Sequence, residues 1–225
     1  IYQLALLWLV LDMTHSTVIT GIIAMSAYLP ALIFGLYAGV FSDRMNRFKL
    51  MIFSNAGQAL TVLLIPLVLW YGHENVWLIC GFAFIRSCFN TLFAPALQSF
   101  IPMLFPPERI VKINTILITS GHVAWMIGPF FAGILLSILS IKYLFLVDAA
   151  SFLLGLALLL FITQPIHFSQ PENHSHWSEL KQGLSYFFSQ KPIFWMIVIT
   201  FINNLFIMGP AIVGLPVLVK TALNG

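Results

Sequence analysis

The residues of this sequence that could do chemistry are ionisable side chains set inside long apolar runs. Arg86 lies eleven residues into one such run, and His122 lies at a comparable depth in the next. Because a short turn joins these two antiparallel runs, we expect the two side chains to be neighbours. A charged side chain at the centre of a bilayer costs about 2.5–3.5 kcal/mol on insertion scales, so each one is a candidate for function. The guanidinium of Arg86 can hold an anion or act on a nearby acid, and the imidazole of His122 can exchange a proton near neutral pH. The structural alternatives are a backbone-carbonyl partner for Arg86 and an interhelical hydrogen bond for His122.

The composition places these runs in lipid. Of the 225 residues, 60% are hydrophobic and 8% are charged, whereas a soluble domain is about 25% charged. Ten basic and seven acidic side chains are too few to cover a soluble surface. A helix of about 20 apolar residues crosses a bilayer. Six such runs are present: residues 17–42, 50–72, 75–102, 113–141, 143–163 and 192–219. Residues 1–11 are interpreted as the second half of a further helix whose start precedes the sequence, which makes seven membrane helices.

The basic residues predict the orientation of these helices. Lys142 and Lys220 lie on one side of the predicted spans, and seven basic residues lie on the other, which is therefore cytoplasmic. The seven are Arg44, Arg47, Lys49, Arg109, Lys112, Lys181 and Lys191.

A polar stretch, residues 164–191, divides the chain. We expect residues 1–163 to form an N-terminal transmembrane bundle and residues 192–225 to begin a second one. Within the linker, apolar residues recur at helical spacing from Trp177 to Phe188, which predicts an amphipathic helix on the cytoplasmic membrane surface.

The most specific local pattern joins the second and third predicted spans. Asp43 lies at the membrane boundary, four residues after Gly39 and next to several cations. We expect a tight turn in which Asn46 adopts a positive φ, and a face formed by Gly35 and Gly39 that another helix can approach closely. An ordinary basic cytoplasmic turn is the alternative.

With these residues the chain resembles the major facilitator superfamily, whose loop between helices two and three has the pattern Gly-x-x-x-Asp-Arg-x-Gly-Arg-Lys/Arg. Four positions match it: Gly39, Asp43, Arg44 and Arg47. Asn46 replaces the family's glycine, and Phe48 occupies the position of its second cation, with Lys49 one place later. The resemblance implies that the loop is a conformational latch between two six-helix halves.

A second match lies in the fifth span, at Gly121, Gly128, Pro129 and Gly133. It is similar to the Gly-Pro-x-x-Gly-Gly element typical of the superfamily's exporters, with Ala132 in place of one glycine. A proline-kinked helix without directional meaning is the alternative. Other short segments, such as residues 94–96 and 106–109, are similar to the branch that includes the enterobactin exporter and the macrolide efflux pumps.

The resemblance implies an all-α membrane protein: the N-terminal six-helix bundle of a twelve-helix major facilitator fold, plus helix seven. It also implies a secondary transporter that exports an amphiphilic small molecule in exchange for protons, by alternating access in a bacterial cytoplasmic membrane. An uptake symporter or lipid transporter of the same fold is the first alternative. A polytopic membrane enzyme or channel subunit is the second.

The same resemblance assigns candidate roles inside the membrane. It implies proton coupling for Arg86, with Asn90 one helical turn away, and a position facing the cavity for Asn203 and Asn204. Interhelical hydrogen bonding is the alternative for the two asparagines of helix seven. For Asp148, six residues after Lys142, we expect a structural ion pair or a helix cap near the outer surface.

Other classes of function lack their motifs. The sequence has no phosphate-binding loop for ATP, no catalytic signature of the common hydrolases, and no clustered basic face for nucleic acid. His167, His174 and His176 lack the carboxylate or cysteine partners of a defined metal site and are interpreted as a solvated linker. We therefore expect a transporter without cofactor or metal, whose partners are its substrate, protons and the lipid bilayer, and not an enzyme.

Overall fold

The computed structural model describes residues 1–72, 75–162 and 189–208, together with residues 210–211, 213–214 and 218. The chain divides into two compact units, Ile1–Ser169 and Gln170–Gly225. The described part of the chain is helical and contains no strand. The first unit has six helices: α1 (Tyr2–Thr14), α2 (Thr17–Arg44), α3 (Arg47–Trp70), α4 (Val76–Leu104), α5 (Pro107–Ile138) and α6 (Ile141–Leu160). In the second unit, α7 (Lys191–Asn203) continues into a π-helical turn at Asn204–Met208.

Five helices, α2 to α6, are long and apolar enough to cross a membrane, and α1 and α7 are apolar but shorter. The prediction of an all-α, multi-pass membrane protein is therefore confirmed. The predicted amphipathic helix between Trp177 and Phe188 lies outside the described residues, as do parts of the predicted seventh span.

Two helix starts differ from the predicted spans because their first turns are polar. The helix α5 begins at Pro107, six residues before the predicted start. Proline is favoured in the first turn, where its missing N–H would have had no intrahelical partner. The helix α3 begins at Arg47 and not at residue 50, so Arg47 and Lys49 belong to a helix and not to a loop.

The expected positive φ at Asn46 is wrong. Asn46 has φ −63°, and its side-chain oxygen accepts a hydrogen bond of 3.1 Å from the backbone N–H of Lys49. It is therefore the N-cap of α3, a position that asparagine favours because its short side chain reaches an otherwise unpaired N–H. In the described chain, positive φ values occur at His15 and Gly72. The connection from α2 to α3 is then only Met45 and Asn46.

The main core of the first unit lies between α1, α2, α3, α4 and α6. Each of these five helices contributes completely buried residues to one cluster, among them Leu6, Ile23, Val62, Ile79 and Phe145. In contrast, Ala132 is the one described residue of α5 that is buried. Because a bundle in lipid gains little from apolar burial, its helices are held by close packing and by hydrogen bonds between them.

One such hydrogen bond joins α4 to α2. The hydroxyl of Ser87 on α4 donates to the backbone carbonyl of Ala27 on α2. This carbonyl lies in the turn before Pro30, where the missing proline N–H weakens the helix ladder. At the opposite side of the unit, Lys142 at the start of α6 donates a 3.0 Å hydrogen bond to the carbonyl of Leu69, near the end of α3.

The helices α3 and α4 pack tightly at Gly57. A Cβ placed on Gly57 would lie 2.5 Å from ring atoms of Phe89. Phe89 also stacks edge-on against Phe53, with ring centroids 5.4 Å apart. No atom lies within 4 Å of a Cβ placed on Gly35 or Gly39, so the close helix approach expected at those two glycines is absent from the described chain.

We expect Gly57→Ala to destabilise the bundle by about 1–3 kcal/mol, because the added methyl forces the Phe89 ring out of its place. The midpoint of thermal unfolding in detergent measures this. Gly81→Ala is the matched control, since nothing lies within 4 Å of its added Cβ. Adding Phe89→Leu to Gly57→Ala should recover part of the loss. Equal melting of the Gly57→Ala and Gly81→Ala variants would contradict a tight contact here.

Candidate functional site

Arg86 lies on α4 with its guanidinium between α1 and α6. The central guanidinium carbon is 3.8 Å from the ring centroid of Tyr2 and 5.4 Å from that of Phe152. Both distances are in the range of cation–π attraction, which compensates a cation that has lost water. The Nε atom of Arg86 is buried and has no hydrogen-bond partner in the described chain. Arg86 is therefore partly buried, and two aromatic rings lie beside its guanidinium in the described chain.

The ring of Tyr2 on α1 is the nearer of the two aromatic rings beside the Arg86 guanidinium. Tyr2 is buried, and its ring meets Phe145 of α6 edge-on, with centroids 5.9 Å apart and planes at 77°. Its hydroxyl is buried and has no hydrogen-bond partner among the described residues. The Tyr2 ring therefore separates Arg86 from the apolar core while offering the guanidinium a π face.

Asp148 completes the group, and the structural ion pair or helix cap expected for it remains a prediction. The nearest cation on its own helix, Lys142, is bonded to the Leu69 carbonyl, and Asp148 forms no salt bridge in the described chain. Phe152, one turn later on the same face of α6, lies 5.4 Å from the Arg86 guanidinium, so Asp148 is on the side of α6 that faces Arg86. Its Oδ2 atom is buried without a hydrogen-bond partner among the described residues. We call Tyr2, Arg86, Asp148 and Phe152 the Arg86 cluster.

The predicted neighbour of Arg86, His122, is not part of this cluster. His122 is exposed on α5, and no hydrogen bond joins it to Arg86 within the described residues. The helices α4 and α5 are antiparallel neighbours in sequence, but their rotation about their own axes points the two side chains to different surroundings. Asn90, one turn after Arg86 on α4, is also exposed. The functional roles of His122 and Asn90 remain predictions.

A cavity of about 660 Å³ lies along α5, beside the first residue of the chain. Its walls are apolar except for three hydroxyl residues, Thr115, Thr119 and Ser120, and Gly128 of the predicted exporter motif also lines it. The helix α5 continues through Pro129 without a break. Gly121 and Gly133 have nothing within 4 Å of an added Cβ. This open, largely apolar surface with hydroxyl groups fits an amphiphilic molecule.

At the cytoplasmic end predicted from charge, Arg47 ties the start of α3 to the end of α4. Its Nη1 atom lies 3.0 Å from the sulfur of Met103. Lys49, two residues later, is exposed. The side chains of Asp43 and Arg44 lie outside the described residues, so the latch role of this loop remains a prediction.

The two asparagines of α7 lie where the helix changes its winding. Asn203 ends the α-helical part and Asn204 begins the π-helical turn. The Asn204 amide donates a 2.9 Å hydrogen bond to the carbonyl of Thr200 in its own helix. Both side chains are exposed within the described residues. Such π turns occur frequently at functional sites.

No group of three or more metal-ligating residues comes together in the described ranges. The three histidines predicted to be solvated, His167, His174 and His176, lie outside those ranges. The residues that sequence reasoning missed are Tyr2 and Phe152. The available signal was the spacing of Asp148 and Phe152, four residues apart and hence on one face of α6, which carries an acid and an aromatic ring together.

Comparison with known proteins agrees with the family resemblance seen in the sequence. The family model described as Major Facilitator Superfamily matches residues 1–224. The "Uncharacterized MFS-type transporter YfiS" of Bacillus subtilis is 27% identical over 83% of this chain and 45% of its own length. "Macrolide efflux protein A" of Streptococcus pyogenes is 26% identical over 66% of this chain and 36% of its own.

A third relative is the "Staphyloferrin A transporter" of Staphylococcus aureus, which is 27% identical over 82% of this chain and 47% of its own length. The chain therefore spans less than half the length of each of these relatives. No solved structure matches it significantly.

Proposed function

Because this chain belongs to the major facilitator superfamily, a family of membrane transporters and not of enzymes, we propose that the whole protein exports an amphiphilic small molecule in exchange for protons. Drug-like and siderophore-like molecules are the proposed substrate classes, and a bacterial cytoplasmic membrane is the proposed location. Names of two relatives, a macrolide efflux protein and a staphyloferrin transporter, support these classes.

The observation that carries the coupling proposal is the partly buried Arg86, whose Nε atom is buried without a hydrogen-bond partner in the described chain. It lies about 15 Å along α4 from Val76, which is about half the thickness of the hydrocarbon layer. A cation kept at this depth without a described salt bridge can alternate between partners as the bundle moves. Two bundles rocking about a midplane site would then make the charge balance of this cluster depend on which side is open.

The cavity along α5 supports the substrate class. Apolar walls with a few hydroxyl groups bind a molecule mainly by burying its apolar surface, while Thr119 and its neighbours can orient polar groups. A strongly hydrated sugar or ion would find few partners here.

The test uses the full-length protein in everted membrane vesicles acidified by respiration, with erythromycin and ethidium as probes. Exchange predicts that adding a probe releases protons, seen as recovered acridine orange fluorescence, and that the vesicles accumulate the probe. Vesicles without the protein are the control. Probe and proton movement in the same direction would replace the proposal with an uptake symporter. Accumulation that persists after the proton gradient is collapsed would contradict proton coupling.

A further inference from the structure

Asp148 is a second ionisable residue inside the bundle, and the proposed function gives it no role of its own. It lies on α6 about 10 Å along the helix from Ile141. The predicted orientation places the starts of α4 and α6 at the outer side, so Asp148 is nearer to external water than Arg86 is. A proton arriving from outside would meet the carboxylate before it met the guanidinium.

The groups that face this carboxylate are few. From α4 it faces Arg86, and from α1 it faces the backbone N–H of Tyr2. On its own helix, Lys142 is held by the Leu69 carbonyl.

The other helices against α6 bring no further charge to this depth. The helix α3 has no acidic, basic or histidine residue from Leu50 to its end. On α5, the charged residues are confined to the first two turns, and His122 is exposed. Arg86 is therefore the side-chain cation that acts on Asp148 within the described residues.

The placement of these two groups makes the carboxylate responsive to helix movement. The Arg86 guanidinium lies 5.4 Å from the ring of Phe152, one turn from Asp148 on the same face of α6, but Arg86 and Asp148 form no salt bridge within 4.0 Å in the described chain. A buried carboxylate without its counter-charge is costly, so it binds a proton when the cation withdraws and releases it when the cation approaches. A closely bonded pair would remain ionised, and an isolated acid would remain neutral.

We propose that Asp148 is the proton-exchanging group of this bundle and that Arg86 is the movable counter-charge that controls it. The inference rests on the proposed proton exchange and names its residue. The carboxylate takes a proton from the outer side to give the neutral acid. When the bundle opens inwards and Arg86 moves towards Asp148, the proton passes to cytoplasmic water and the carboxylate is restored.

The first arm of the test does not depend on any substrate. Infrared difference spectra of the full-length protein in lipid, recorded over a pH series, detect the C=O band of a protonated carboxyl group. We expect a titrating band that disappears in Asp148→Asn and persists in Asp12→Asn, which removes an exposed acid of α1. In Arg86→Met the band should persist to a pH higher by about one unit or more, since the opposing cation is gone.

The second arm measures transport of the erythromycin and ethidium probes. We expect Asp148→Asn to lose the dependence of transport on the proton gradient, and Asp148→Glu to retain it in part. His122→Gln, the rival exchanger on α5, should leave this dependence unchanged. Glutamate separates loss of the carboxyl from loss of packing, because it keeps the titrating group at nearly the same position.

The outcomes separate this inference from the proposed function. Proton-driven transport that survives in Asp148→Asn, or a titrating band that survives in it, overturns the inference while proton exchange stands. A further outcome is an infrared band that is lost in Asp148→Asn and shifted in Arg86→Met while transport does not depend on the proton gradient. This result would support the charge pair and overturn the exchange mechanism. A pH dependence lost in His122→Gln but kept in Asp148→Asn assigns the exchange to α5 and overturns the inference.

Discussion

Arg86→Lys should lower proton-driven transport by roughly tenfold or more even though it keeps the positive charge. The planar guanidinium lies 3.8 Å from the centroid of the Tyr2 ring, and this stacking stabilises a cation that has lost water. A lysine ammonium is compact and strongly hydrated, so it loses the planar stacking and draws water to the site. Initial rates of probe uptake at equal protein levels in everted vesicles measure the effect.

Substitutions at Tyr2 provide the matched control for this stacking. Tyr2→Phe keeps the ring and should retain most of the transport activity, because the buried hydroxyl has no described partner. Tyr2→Leu removes the π face and should reduce transport to the level of Arg86→Lys. Thermal melting of each variant separates this effect from lost packing against Phe145. Wild-type rates in Arg86→Lys would mean that charge alone, and not the stacked geometry, is required.

Asp43→Asn should also lower transport by roughly tenfold while leaving membrane insertion intact. We expect Asp43 to pair with neighbouring cations or with a helix N-terminus of the other half, which would favour one open state. The setting supports a mechanical role, since α2 and α3 are joined by two residues and Arg47 reaches Met103 at the end of α4. A change in pairing at this turn would therefore act on three helices at once.

The control for Asp43→Asn is Glu108→Gln, which removes an exposed acid in the first turn of α5 on the same predicted side. It makes the same change in net charge without touching the connection between α2 and α3, so its transport rate should match that of the wild type. Equal rates in both variants would mean that the loop only sets the orientation of the helices in the membrane. Equal losses in both would assign the effect to the charge of the cytoplasmic surface.

The membrane location of the chain and the order of its helices could be predicted from composition and from the length of the apolar runs, because both are local properties of the sequence. Runs without charge had to become helices, since a bilayer offers backbone groups no other hydrogen-bond partners. The starts of α3 and α5 were predicted less well because both first turns are polar. Arg47 and Pro107 read as loop residues in sequence, although each suits the first turn of a helix.

Asn46 illustrates how one residue type fits two local structures. Asparagine tolerates a positive φ and is also a favoured N-cap, and the sequence pattern does not distinguish them. The outcome depends on where α3 begins. Because the helix starts at Arg47, Asn46 is placed to accept the N–H of Lys49.

The sequence by itself determined that this chain spans a membrane, that it belongs with the transporters it resembles, and that Arg86 lies near the middle of a membrane-length helix. Only the tertiary structure decided which groups Arg86 meets. The order of α4 and α5 in the chain suggested His122 as the neighbour of Arg86. Packing instead brings Arg86 together with Tyr2, 84 residues before it, and Asp148, 62 residues after it. The physical reason is that apolarity sets how deep a side chain lies, while the rotation of each helix about its axis is set by contacts between helices, and those contacts are not local in sequence.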